Sequence, residues 1–347
     1  MKRYLRQTIL PQIGDDGQND ILSSSVLIVG AGGLGHPTAQ YLAGMGVGQI
    51  SIIDGDEVQL TNLHRQILFT DKDLGHNKAN VLANRISKIN SDLKIKYFPQ
   101  FLDKKLALTL FQKFDVIIDC SDNFETKFLI NDVCALYDKP MVYGAISQFE
   151  GQVGVFWKSK GGCYRCLYKE VPKANIENCA ESGVVGPVVG AIGSIQALET
   201  MKLLVKNRPC ELPLTSLVSK INFYDFSSNS FRSLKITKQS SCRCHDTSFN
   251  ENQIAEFSKK TCAIDTSALL VDVREIDEWN EFHIKDSLHW PLSDLEKGVT
   301  PNLDKEQKII LICKAGTRAQ VAMGILKKFN FKNLECYERS IYEYQTR

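Results

Sequence analysis

Neither sign of charge prevails in this sequence. Its 42 lysines and arginines stand against 40 aspartates and glutamates, a formal net charge of +2 over 347 residues. So small an excess gives no long-range field to recruit nucleic acid or an acidic membrane surface, and partners must be sought in local sites. Long apolar runs are missing as well. No stretch approaches the roughly 20 residues of a membrane span, and no run of signal-peptide length follows the basic opening Met1-Lys2-Arg3-Tyr4-Leu5-Arg6. A cytoplasmic protein is expected. Cysteine, by contrast, is plentiful at 11 copies. In a reducing compartment that number speaks for metal ligation or thiol chemistry, not a disulfide framework. The length leaves room for two domains, or a large one and a small one.

Val26 to Arg65 organises the first part. Val26-Leu27-Ile28-Val29 reads as a buried strand passing into Gly30, Gly32 and Gly35, which let the chain turn tightly and bring backbone N–H groups to a phosphate at a helix start. A second strand, Ile50 to Ile53, ends on Asp54, 19 residues after the last glycine, where a carboxylate can accept hydrogen bonds from a ribose. A nicotinamide enzyme would fit this much. Thr61-Asn62-Leu63-His64-Arg65-Gln66 then sets an amide and a guanidinium beside the nucleotide, and Lys78 heads a helix. Fixed cations suit a reaction that must hold triphosphate charge and expel pyrophosphate, so ATP is expected.

Further along, Ala79 to Ile89 has helical spacing, Lys94 to Phe98 alternates like a strand, Leu106 to Phe114 returns to helix and Asp115 to Asp119 is another buried strand. Strands and helices take turns, which predicts a largely parallel sheet. The polar run Asp15 to Asp20 reads as a solvated helix on the sheet edge. Cys120-Ser121-Asp122-Asn123 falls at the carboxyl end of a strand, where open α/β sheets hold ligands. Asp122 is a candidate magnesium ligand, or else the cap of the helix starting near Asn123.

These motifs, GAGGLG, DGD…TNLHRQ, Lys78 and CSDN, resemble in order and spacing the ubiquitin-activating-like adenylyltransferases, the family of the molybdopterin-synthase and thiazole-biosynthesis enzymes. The resemblance covers residues 1–245. It implies a Rossmann-like adenylation domain with nucleotide contacts on Gly33, Asp54, Asn62, Arg65, Lys78, Asp122 and Asn123. It also implies that Arg6 reaches the phosphates of a neighbouring subunit, hence a homodimer.

Two cysteine pairs, Cys163-Tyr164-Arg165-Cys166 and Cys242-Arg243-Cys244, could bind structural Zn2+ tetrahedrally. The second gap is one residue short of the pattern common in the resembling family, and Cys242 to His245 restores the longer spacing with a nitrogen in place of sulfur. Between the pairs, Cys179 lies in a polar loop before a long helix from about Val188 to Val205, a setting that favours thiolate. It resembles the family's crossover-loop cysteine. Cys120, Cys134, Cys210, Cys262 and Cys336 read as small core residues.

A second, smaller α/β unit is expected over 250–347. Leu269 to Arg274 reads as a strand ending in DVR, Glu275 to Phe282 as an acidic helix, Lys308 to Ile312 as a buried strand and Ala319 to Phe329 as a helix. Cys313 heads the loop between the last two, where converging N–H groups stabilise a thiolate or persulfide. Cys-x4-Arg encloses less space than the Cys-x5-Arg phosphate loop of related phosphatases, which suits sulfur. With DVR and HIKDS this resembles the rhodanese sulfurtransferases, Cys313 matching the persulfide cysteine. Cys336 and Tyr337 replace the glycine pair usual there.

Joined, the resemblances imply a ubiquitin-like sulfur-carrier protein ending in Gly-Gly as substrate, ATP and Mg2+ as co-reactants, and a persulfide donor such as a cysteine desulfurase or thiosulfate. Rival readings are a nicotinamide oxidoreductase and a non-catalytic adaptor for ubiquitin-like proteins.

Overall fold

The computed structural model describes residues 2–170, 183–206, 213–254, 268–299, 303–313, 317–337 and 341. The chain divides into two compact units, Met1–Ser258 and Lys259–Arg347.

Apolar runs build the first unit. β1 (Ser25–Val29) and β4 (Val116–Asp119) are buried along nearly their whole length, as strands covered on both faces must be. Their residues alternate between two cores: Val26 and Ile28 face one, Leu27 and Val29 the other. Around them lie β2 (Gln49–Ile53), β3 (Lys94–Phe98), β5 (Met141–Ser147), β6 (Glu150–Phe156), β7 (Lys220–Asp225) and β8 (Ser230–Lys235) in the order β3-β2-β1-β4-β5-β6-β7-β8. β3 to β5 pair in parallel, and β6 to β8 extend the sheet antiparallel. The sheet is thus mostly parallel, with an antiparallel wing that the strand–helix alternation of the first 140 or so residues did not foretell.

From β1 the chain winds first to β2 and β3, then crosses to β4 and β5 on the other side. That reversal opens a crevice at the carboxyl ends of β1 and β4. Helices Gly35–Met45, Lys78–Ser87 and Gly186–Leu204 contribute buried residues to one core, and Lys104–Leu110 with Phe124–Tyr137 to the other. Helix Gly186–Leu204 starts two residues earlier than its apolar pattern suggested, with proline in its first turn. The N-terminal helix Gly14–Ser23 is less solvated than expected. Ile13, Gly17 and Ile21, four residues apart, turn one face inward, and Ile21 is fully buried.

The second unit is a four-stranded parallel sheet in the order β10-β9-β11-β12, with β9 at Leu269–Asp272, β10 at Leu288–His289, β11 at Ile309–Ile312 and β12 at Leu334–Cys336. Helices Ile276–Glu281, Leu292–Glu296 and Thr317–Lys328 accompany it. β9 stops two residues short of the expected Arg274, whose side chain folds back, wholly buried, onto Asp272 at 2.7 Å. At the far edge Cys336 pairs with Leu311 and the Tyr337 N–H donates to the Leu311 carbonyl at 2.8 Å. Tyr337 is buried, so a large ring occupies the place where glycines were expected.

Candidate active site and metal cluster

β1 ends at Val29 and the chain turns at Gly30, whose φ of +102° favours glycine. A Cβ there would also stand 2.5 Å from the Cys120 carbonyl oxygen, so the turn rests directly on the end of β4. Gly33 and Gly35 are hemmed in by Val189 and the Gly30 carbonyl. Gly32 differs: the nearest atom to its missing Cβ is Gln66 Nε2 at 3.8 Å, so its smallness serves the open side of the loop.

Asp54, at the end of β2, holds this loop. Its Oδ2 accepts the Ala31 N–H at 2.7 Å and its Oδ1 the Asp56 N–H at 2.8 Å. Burial pushes the carboxyl up to about 6 against the pull of Lys78. Lys78 is the first residue of its helix, its ammonium 3.3 Å from Asp56. Asn77 caps that helix and donates to the carbonyls of Asp54 and Asp56. Asn62 builds the intervening turn: its Oδ1 accepts the Gln59 N–H and its carbonyl the N–H groups of Arg65 and Gln66. Arg65 lies along the glycine loop, its Cγ 3.7 Å from the Gly33 Cβ position, while Nη1 donates to the Thr61 carbonyl.

On the β4 side, Asn123 Oδ1 accepts the Thr126 N–H at 2.8 Å and so caps helix Phe124–Tyr137. The cap is therefore the neighbour of Asp122. Asp122 is exposed, and the described residues offer its carboxylate no hydrogen bond. The predicted residues Gly30 to Gly35, Asp54, Asn62, Arg65, Lys78, Asp122 and Asn123 thus all sit on the loops leaving β1, β2 and β4. Arg6 does not join them. Its neighbours Tyr4 and Gln7 are tied to Asn90 and to the Met45 carbonyl, where helix Gly35–Met45 ends, at the opposite edge of the strands.

Sequence reasoning missed two supports of this crevice. His36 is wholly buried; its Nδ1 accepts the Leu68 N–H at 3.1 Å, and burial, aided by Lys78, lowers its pKa to about 3. Lys127, also buried, bonds Asp119 at the end of β4. Both are polar side chains buried inside helices, away from the strand ends that marked the other residues.

The cysteine pairs converge. Cys163 Sγ lies 3.8 Å from Cys166 Sγ and 3.6 Å from Cys242 Sγ. Sulfurs on a tetrahedron with metal–sulfur bonds of about 2.3 Å stand about 3.8 Å apart, so these separations fit zinc. The fourth member of the group is His245. Of the expected set, Cys163, Cys166 and Cys242 are in this group, and His245, the alternative to Cys244, stands with them. Arg243–His245 is a 3-10 turn, in which residues three apart share a side, which brings His245 round to the side of Cys242. Cys244 Sγ also interacts with Cys163 and Cys242, and in addition receives an N–H of Asn131 and donates to Asp132, each at 3.6 Å. Both ring nitrogens of His245 are buried without a hydrogen-bond partner, as one would be in a ligand awaiting its metal. Asp132 clamps the cluster to helix Phe124–Tyr137 through Arg165 and Arg243, both at 2.8 Å.

Cys120 and Cys134 are core residues as expected; burial, with Asp119 adding to it, pushes the Cys120 thiol up to about 12. Cys179, Cys210 and Cys262 lie outside the described residues. In the second unit Cys313 follows β11 and is buried, and Arg318, early in the next helix, makes a two-pronged bond to Glu278. Lys314, Ala315 and Gly316 lie outside the described residues.

Residues 4–244 match the ThiF family, and residues 255–347 the Rhodanese-like domain. The chain belongs to the ThiF family. Among its relatives, the Adenylyltransferase and sulfurtransferase MOCS3 of Culex quinquefasciatus is 35% identical over 92% of this chain and 81% of its own length. The Sulfur carrier protein adenylyltransferase of Thermus thermophilus is 40% identical over 70% of this chain and 89% of its own. The crystal structure of E. coli MccB with ATP matches 66% of this chain and 68% of its own with a TM-score of 0.59 at 23% identity, a likeness of fold. Among the described residues no helix is long and apolar enough to cross a membrane.

Proposed function

We propose that this ThiF-family chain is an ATP-dependent adenylyltransferase and sulfurtransferase. Its substrate is a ubiquitin-like sulfur-carrier protein ending in Gly-Gly, and its product the carrier's thiocarboxylate, in molybdopterin or thiamine biosynthesis. The observation that carries this reading is one chain holding both a glycine-loop crevice ringed by Asp54, Arg65 and Lys78 and a strand-end cysteine in a rhodanese-like unit. The relatives of Culex quinquefasciatus and Thermus thermophilus bear names for these same activities.

The terminal carboxylate of the carrier attacks the α-phosphorus of ATP and pyrophosphate leaves. Gly32 lets the main chain approach the phosphates, Asp54 holds the ribose, and Lys78 and Arg65 take up charge that grows on the departing oxygens. Lys78 is suited to this, because its bond to a half-exposed carboxylate is easily exchanged for one to phosphate. Mg2+ supplies further neutralisation of the triphosphate when bound, and Asp122, an exposed carboxylate on the crevice loop, is the residue to hold it. The terminal sulfur of a Cys313 persulfide, loaded from thiosulfate or a cysteine desulfurase, then attacks the acyl-adenylate and AMP leaves. A Cys179 thiolate cleaves the acyl disulfide by attacking the Cys313 sulfur; the thiocarboxylate departs, and an external thiol reduces the Cys313–Cys179 disulfide.

Cys163, Cys166, Cys242 and His245 hold zinc structurally, since four protein ligands leave no open position. The active form is a cytoplasmic homodimer in which Arg6 of one subunit serves the crevice of the other.

The test is carrier-dependent exchange of labelled pyrophosphate into ATP, followed by the carrier's mass after addition of thiosulfate. Exchange together with replacement of one carrier oxygen by sulfur is expected. Exchange without sulfur would leave an adenylyltransferase alone, and absence of exchange would overturn the reading.

A further inference from the structure

Lys127 stands out among the buried charges. It lies one turn inside helix Phe124–Tyr137, and its ammonium has three N–H groups and three acceptors: Asp119 Oδ2 at 3.0 Å, the Ser121 carbonyl at 2.8 Å and the Gly144 carbonyl at 2.9 Å. Every donor is satisfied. The other oxygen of Asp119 accepts both the backbone N–H and the hydroxyl of Ser121, at 3.0 and 2.6 Å. The Asp119 carbonyl accepts from Gln196 at 2.8 Å.

These bonds converge on one short turn. β4 ends at Asp119, and Cys120 and Ser121 carry the chain over the Gly30 turn, with the Ser121 nitrogen 3.2 Å from where a Gly30 Cβ would stand. Asp122 comes next, exposed and with no bond of its own to the described residues. Its position is therefore inherited from the residues before it and from the Asn123 cap after it. A lone buried ion pair is a weak way to gain stability, because the desolvation of both charges offsets their attraction. Here the ammonium is also the tie between β5, β4 and the turn, a task no apolar side chain of similar volume could perform.

We propose that Lys127 is a positioning residue for adenylylation: by fixing Asp119 and the Ser121 carbonyl it sets the place of Asp122, and so the geometry in which the cation of Mg·ATP is held. This rests on the reading of Asp122 as the carboxylate that holds that cation.

The test is equilibrium binding of ATP to the full chain with and without Mg2+, in the absence of carrier, for wild type, Asp122→Asn and the paired variant Lys127→Met/Asp119→Asn, which removes both charges of the buried pair together. The Mg2+-dependent gain in affinity should fall at least tenfold in the paired variant, as in Asp122→Asn, while affinity without Mg2+ stays within twofold of wild type. Adding Asp122→Asn to the paired variant should cost nothing more. If the paired variant does not melt cooperatively, Lys127→Arg serves instead, since its planar fork keeps the charge but cannot meet all three acceptors, and a loss of severalfold in the same quantity is expected. A folded variant with the wild-type Mg2+ gain, or losses that add to those of Asp122→Asn, would overturn the assignment of Lys127. An Asp122→Asn protein that itself keeps the wild-type gain would instead remove the reading beneath it, and the proposal with it.

Discussion

The residues that follow two strands of this chain, Gly30 after β1 and Cys313 after β11, lie in units that treat their charges in opposite ways. Beside Gly30 the Lys78 ammonium meets Asp56 once, at 3.3 Å, and that carboxylate is 52% exposed. Such a pair is worth at most about 1 kcal/mol, so a triphosphate can take the cation over. Beside Cys313 the guanidiniums are committed. Arg274 lies wholly buried on Asp272, and Arg318 bonds Glu278 with both prongs. Removing one partner of a buried pair of the first kind costs about 3–5 kcal/mol, so no ligand recruits it. The contrast separates a crevice whose lysine a polyanion can take over from a unit whose described guanidiniums are held by carboxylates.

The sharpest break between the two is chemical. Cys313→Ser should lower sulfur transfer from thiosulfate by at least about a thousandfold, because no other group in that loop replaces a persulfide, and should leave carrier-dependent pyrophosphate exchange within about twofold. Lys78→Ala should do the reverse: exchange falls by about a hundred- to a thousandfold, the usual loss on removing one stabiliser of developing charge, and transfer of sulfur from thiosulfate to cyanide is untouched. A variant that damaged both activities equally would mean that the two sites do not act as separate centres.

Much of this division could be read from sequence. Continuous apolar runs ending in glycine, aspartate or cysteine marked β1, β2, β4 and β11, since a strand buried on both faces leaves no room for polar residues. Asp54 and Asp122 were legible as charged residues placed just after such runs, whereas Arg65 and Lys78, 12 and 25 residues beyond Ile53, were legible only as the cations of the TNLHRQ stretch and of a helix head. Lys127 and Asp132 were not. Both are charged residues on a helix whose other buried positions are mostly apolar, and only the partners that approach from distant segments, Asp119 and Gly144 for one, Arg165 and Arg243 for the other, explain them. His245 was visible only as an alternative, because residue spacing does not reveal whether the local chain is extended or a 3-10 turn.

The contrast in charge also makes a prediction for stability. Asp272→Ala should destabilise the second unit by about 3–5 kcal/mol, by leaving Arg274 buried without its carboxylate, whereas Asp56→Ala should cost the first unit no more than about 1 kcal/mol. Denaturant unfolding followed by probes in each unit would distinguish them; equal costs would erase the distinction drawn above. Between these in kind is the metal cluster. His245→Ala should lower bound zinc, measured per chain by elemental analysis, and lower Tm, whereas Cys244→Ala should leave the zinc content unchanged. If Cys244→Ala alone lost the metal, Cys244 and not His245 would be the fourth ligand.

Acid probes the crevice alone. His36 is held neutral by burial, with a pKa lowered to about 3 from 6.5. Between those values the unfolded chain binds a proton that the folded chain refuses, so this residue's contribution is fully present above pH 6.5 and is lost as pH falls towards 3. Asp54 acts the other way. Its pKa is raised from 3.8 to about 6, so in that window the folded chain binds the extra proton and stability from this group declines as pH rises. From pH 4 to 6 the two slopes oppose, and the contributions of these two residues should nearly cancel. In His36→Asn the amide oxygen can still accept the Leu68 N–H while the titration is gone, leaving Asp54 uncompensated. The variant should then gain stability relative to wild type on acidification, by up to about 1.4 kcal/mol per pH unit, read from urea midpoints at pH 4, 5 and 6. Parallel pH profiles for the two proteins would show that His36 accepts its proton without unfolding, and that the loop from Leu63 to Phe69 is looser than its bond to the imidazole implies.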